Sequence, residues 1–103
     1  MTTMPQPDDA TTLETLRQRR QEILAVVAKH GALNLRVYGT VARGEATWKS
    51  DVDVLVDIED GRSLLDLAAL HLELEDMLGF RVEIATDVRP RFRDRVHAEA
   101  VIL

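Results

Sequence analysis

The chain has 103 residues, 46% hydrophobic and 30% charged, which suits one folded soluble domain and leaves too little length for two independent cores. A formal charge of −5 with 4% aromatic residues argues against nonspecific nucleic-acid binding and base stacking, and the lack of cysteine excludes a disulfide framework or a thiolate zinc site. No apolar run approaches the ~20 residues that span a bilayer, and the polar, acidic start lacks a secretory pattern, so a cytoplasmic protein without membrane contact is expected.

Residues 1–10 carry two prolines and no periodicity and read as a flexible lead-in to a single domain over 11–103. Thr11 with Glu14 has the spacing of a capping box, opening a helix to about His30 whose apolar stripe is Leu13, Leu16, Ile23, Leu24 and Val27. Gly31 then caps it. Leu35 to Tyr38 reads as a short strand, and Val41 to Gly44 as a helical turn followed by a polar loop. Across Asp51 to Ile58 the residues alternate. Asp51, Asp53, Leu55 and Asp57 share one face; Val52, Val54, Val56 and Ile58 share the other, the period of a strand.

Glu59-Asp60-Gly61 is turn chemistry, and Ser63 caps a helix through Leu78 that buries Leu67, Leu70, Leu74 and Met77. Arg81 to Ala85 forms a third strand, with Arg81 and Glu83 on one face. Pro90 suits the first turn of a basic helix reaching about Ala100. The expected order is α-β-α-β-α-β-α, an α/β (α+β) fold with a small mixed β-sheet flanked by helices.

The chemistry concentrates between the first two strands. Asp51 and Asp53, two apart on a strand, project in parallel, and Glu83 reaches the same spot if the third strand lies alongside the second. Two negative charges about 5 Å apart repel by roughly 3 kcal/mol at an effective dielectric near 20, so the cluster calls for a hard cation such as Mg²⁺. Gly39 and Thr40 supply the complementary half. A glycine lets backbone amides approach a phosphate, the hydroxyl adds a donor, and the Arg43 guanidinium follows one turn later. Metal on carboxylates beside phosphate on a glycine turn describes a phosphoryl or nucleotidyl transfer site.

The run Tyr38-Gly39-Thr40-Val41-Ala42-Arg43-Gly44-Glu45-Ala46, followed by Ser50-Asp51-Val52-Asp53-Val54-Leu55-Val56, resembles the glycine-serine, ten-residue spacer, Asp-x-Asp signature of the DNA polymerase β nucleotidyltransferase superfamily. The short length, the Ala-Arg-Gly-Glu-Ala run and the basic C-terminal segment closing on Glu99-Ala100-Val101 are similar to its minimal nucleotidyltransferase branch, the MNT-domain antitoxins of the MntA type. That resemblance implies AMP transfer from ATP to a tyrosine of a HEPN-domain ribonuclease toxin, with Mg²⁺, two ions in the usual arrangement, as cofactor. It also implies a hetero-oligomer with that toxin. Asp51 and Asp53 match the family's metal pair, and Gly39 and Thr40 its phosphate contacts. Thr40 replaces the usual serine, and Glu83 stands where the third acid is commonly aspartate, as metal ligand or general base.

Plainer readings stand beside these. The acids could blunt a sheet edge, Gly39-Thr40 could be a simple turn, and Arg43 could pair structurally with Glu45 or Asp51. Tyr38 is expected in the core and Trp48 packed onto it; Asp57 reads as a solvated strand-end acid. His30, His71 and His97 have no ligand spacing. Arg89, Arg91, Arg93 and Arg95, with Phe92 and Val96, form either a solvated face or a docking surface. Two other functions remain open: an antitoxin acting by occlusion alone, and a small-molecule nucleotidyltransferase needing a partner subunit.

Overall fold

The structure, a computed structural model, describes residues 11–86, 96 and 98–103. Its four-stranded mixed sheet has the order β3-β2-β1-β4, where β1 is Ala32–Tyr38, β2 Val52–Ile58, β3 Val82–Ala85 and β4 Val101–Ile102. β1 runs antiparallel to β2 and to β4, whereas β2 and β3 are parallel. The helices are α1 (Leu13–Gln18), α2 (Arg20–Lys29), the one-turn α3 (Gly39–Arg43) and α4 (Leu64–Leu78).

The valine face of β2 lies against the helices as the alternation requires. Val52, Val54 and Val56, with Leu35 and Val37 of β1, meet Ile23 and Val27 of α2 and Leu70 and Leu74 of α4 in one core. Burying each such side chain is worth about 1.5–3 kcal/mol, which is what seats the sheet under the helices. Leu55 departs from the pattern: it shares a face with the acids, yet it is only 3% exposed.

Ser63 caps α4 as expected, and its own N–H is taken by Asp66 in a capping box. The first helix differs from expectation in two ways. Its cap is Thr12, whose hydroxyl accepts the Thr15 N–H, rather than Thr11. The single helix is also two, broken at Arg19 (φ −109°, ψ 20°), whose guanidinium donates to the Met77 carbonyl of α4 at 2.9 Å.

β1 starts three residues earlier than Leu35, because a register shift between Leu33 and Arg36, with Asn34 at φ 56°, interrupts the alternation that would reveal it. Val96, Ala98 and Glu99 are helical, but Pro90, Arg89, Arg91, Phe92, Arg93, Arg95 and His97 lie outside the described residues, as does the 1–10 lead-in. β4 is an element the sequence reading lacked, and it closes the sheet beside β1.

Candidate active site

Gly39 turns the chain from β1 into α3 at φ +73°, a conformation that side chains resist. The turn also has no room for one, since a Cβ at Gly39 would collide with the Asp53 carboxylate, the residue two strands' pairing sets opposite Tyr38. Glycine here is therefore the condition for bringing the turn and the aspartate together. Thr40 follows on α3, where its carbonyl accepts the Glu45 N–H at 2.8 Å and shapes the end of the turn.

The parallel register places Asp53 directly beside Glu83. Burial raises the Asp53 carboxyl, a hydrogen bond with Glu83 and the charges of Glu83 and Asp51 raise it further, Arg43 opposes them, and the result is about 6. Asp53 therefore holds its proton more tightly than an ordinary aspartate, with burial as the first cause and its neighbour Glu83 as the second. Asp51 sits just before β2. Its Oδ1 is buried and accepts no hydrogen bond; Arg81 Nε lies 3.0 Å away but outside hydrogen-bond alignment.

Among the described residues no three carboxylate or imidazole groups already converge as a ligand set. The residues nonetheless suit a hard cation: Asp51 Oδ1 is buried without a hydrogen bond, balanced by the Arg81 guanidinium, and the nearby Asp53 carboxyl is held from ionising by burial and acidic neighbours, an environment a divalent ion relieves.

Arg43 pairs with Glu45, as one plain reading held, through Nε at 3.2 Å. Its other partner is not Asp51 but Glu99, with Nη1 at 2.9 Å from Oε1. Glu99 Oε2 also accepts the Gly39 N–H at 3.4 Å. These bonds raise the Arg43 pKa, the Glu99 hydrogen bond most.

Tyr38 is a correction. It is half-buried rather than core, and its hydroxyl is raised by burial and by the charges of Asp53 and Glu83. Trp48 is another: it is 45% exposed, with the Lys49 ammonium 5.1 Å from its ring centre instead of core packing. Asp57, exposed as expected, also accepts from Arg36 at 3.0 Å and Asn34 at 2.7 Å. His30 and His71 pair with Glu73 and Glu75 on different faces of α4. Beside Glu83 a groove of about 330 Å³ runs between β3 and α4, walled by Leu67, Ala68, His71 and Ile84.

Sequence reasoning missed Tyr38 and Glu99 at this site. Tyr38 was within reach, because an antiparallel hairpin that pairs the residue before Gly39 with Asp53 follows from the two strands already found. Glu99 carried no local signal: it lies 56 residues from Arg43.

Comparison with known proteins agrees over most of the length. The family model for the nucleotidyltransferase domain matches residues 13–102. A provisionally named protein adenylyltransferase of Methanocaldococcus jannaschii is 38% identical over 88 residues, covering 84% of this chain and 95% of that protein. The protein adenylyltransferase MntA of Thermococcus cleftensis is 39% identical over 72 residues, 62% of this chain and 73% of that one. A solved structure provisionally called a minimal nucleotidyltransferase superposes with a TM-score of 0.81 at 52% identity, covering 90% of this chain and 97% of its own.

Proposed function

The chain belongs to the nucleotidyltransferase domain family and is a nucleotidyltransferase, and from that premise we propose that it moves AMP from ATP onto a tyrosine of a HEPN-domain ribonuclease toxin and so neutralises it. Two relatives named as protein adenylyltransferases support a protein acceptor, and the resemblance to MntA-type antitoxins supports the toxin. The observation that carries the chemistry is the Asp53–Glu83 pair, set side by side by the β2–β3 register, with the Asp53 carboxylate against the Gly39 turn.

Gly39 and Thr40 hold the triphosphate on backbone N–H and hydroxyl, and Arg43 adds a guanidinium to it. Asp51, through its buried oxygen, and Asp53 are the groups that would hold Mg²⁺, which leaves Glu83 for the proton. When bound, that ion would neutralise the carboxylates and the charge of the leaving pyrophosphate.

The tyrosine oxygen attacks the α-phosphorus in line; the new O–P bond forms as the bond to the bridging oxygen of pyrophosphate breaks. Glu83, sharing a hydrogen bond with Asp53, takes the hydroxyl proton.

Co-expression with a HEPN-domain ribonuclease encoded alongside it, followed by intact mass of both chains, tests the reading. The toxin should gain about 329 Da for each AMP transferred. A co-purified toxin of unchanged mass, equally neutralised by the Asp51→Asn/Asp53→Asn protein, would assign neutralisation to occlusion.

A further inference from the structure

Arg43 is held between two carboxylates, Glu45 on Nε at 3.2 Å and Glu99 on Nη1 at 2.9 Å. The second oxygen of Glu99 reaches the Gly39 N–H at 3.4 Å. One carboxylate therefore engages both the guanidinium and the backbone donor of the turn that the preceding reading gives to phosphate. Its side chain is 18% exposed, so the contact is sheltered rather than a passing surface encounter.

Charge decides what this means. Among the described residues the Arg43 guanidinium is shared by two carboxylates, so in this arrangement its donors are already taken when a phosphate arrives. A phosphate oxygen taking the same donors would need the space that the Glu99 carboxylate oxygens fill, and like charges crowded there repel strongly even at a surface dielectric. The two anions exclude each other from these donors. Glu45 can keep its bond to Nε meanwhile, so the guanidinium need not leave the turn when Glu99 does.

We propose that Glu99 is a built-in stand-in for the nucleotide's phosphate: it occupies Arg43 and the Gly39 N–H until phosphate replaces it, and nucleotide binding is an exchange of one anion for another. The proposal rests on the phosphate-binding role given to this turn above. Its structural consequence runs to the C-terminal strand. Glu99 lies two residues before β4, whose Val101 and Ile102 pair with Val37 and Arg36 of β1, so displacing Glu99 pulls on that pairing.

Glu99→Gln keeps the size and an acceptor oxygen but removes the charge. Calorimetric titration of wild type and Glu99→Gln with Mg–ATP, and separately with inorganic pyrophosphate, reads the exchange. The variant should bind both ligands about tenfold more tightly. Equal or weaker binding by a folded variant overturns the exchange and makes Glu99 a strut that holds Arg43 for the phosphate, leaving the nucleotide site intact. No binding of either ligand by either protein overturns the phosphate site itself.

A measurement on the wild-type chain needs no variant to fold. As pyrophosphate is added, the NMR signals of the Gly39 amide and the Glu99 carboxyl carbon should move together. A Gly39 amide that shifts while Glu99 stays in place overturns the exchange.

Discussion

Glu83→Gln should flatten the dependence of folding stability on pH, and the sign of the effect is fixed by Asp53. In the folded chain the Asp53 carboxyl is raised from 3.8 to about 6, by burial first and then by the hydrogen bond and charge of Glu83. An acid whose folded value exceeds its unfolded one holds its proton more tightly when folded. Its contribution is therefore fully present below about pH 4 and is lost as pH rises through about 6.

Undiscounted, a shift of that size corresponds to about 3 kcal/mol, but Asp53 is only partly buried, and solvent screening brings the expectation to about 1–1.5 kcal/mol. Between pH 4 and pH 7 that is a relative fall in melting temperature of about 4–8 °C for a domain of this size. Removing the Glu83 charge lets Asp53 titrate closer to 3.8, so the variant loses less over the same interval. Asp66 and Glu73, which are lowered by Ser63 and His30 respectively, act with the opposite sign in both proteins and cancel in the difference. Thermal melts of the two proteins in matched buffers from pH 4 to 7.5, with a ¹³C titration of the Asp53 carboxyl, provide the data. Parallel stability curves, or an Asp53 that still titrates near 6 in the variant, would refute the coupled pair.

Catalysis offers a second reading of the same residue: Glu83→Gln should lower AMP transfer by about 10²–10⁴-fold while Mg–ATP still binds, measured by turnover and calorimetry. The Asp51→Asn/Asp53→Asn protein should instead lose metal-dependent ATP binding, and equal heats for mutant and wild type would remove those aspartates from the site. Gly39→Ala should cost about 1–3 kcal/mol in denaturant unfolding, because the new methyl group meets the Asp53 carboxylate at a backbone angle that alanine disfavours.

Local periodicity carried the sequence reading wherever the signal is local. Asp51 and Asp53 are two apart on a strand whose other face is valine, and Ser63 precedes a helix with leucines at helical spacing, so both stand out from neighbours alone. The reading fails where a distant partner decides the geometry. Nothing around Arg19 announces that the helix will break there, or that its guanidinium will reach the Met77 carbonyl 58 residues away. The register shift by Asn34 hides the first half of β1 in the same manner, since it puts Leu33 out to solvent where alternation would be counted. β4 is too short, at two residues, to show any period. Its existence depends on the free edge of β1, which only the assembled sheet defines.

The route by which the two acids become neighbours bears on how the protein folds. Asp53 comes to the Gly39 turn through an antiparallel pairing of consecutive strands, a contact that closes a short loop. Glu83 reaches Asp53 only after the chain has run through α4 and come back parallel, which demands that the helix be docked on the sheet first. Loop closure makes the nearer contact quicker to form and the farther one later. A chain caught with its hairpin made and its third strand still loose would present the aspartates and the glycine turn without the glutamate. Nucleotidyl transfer that depends on the glutamate would then appear in refolding with the slowest phase, after most of the helical signal has returned, so that activity is acquired only by molecules that have finished folding.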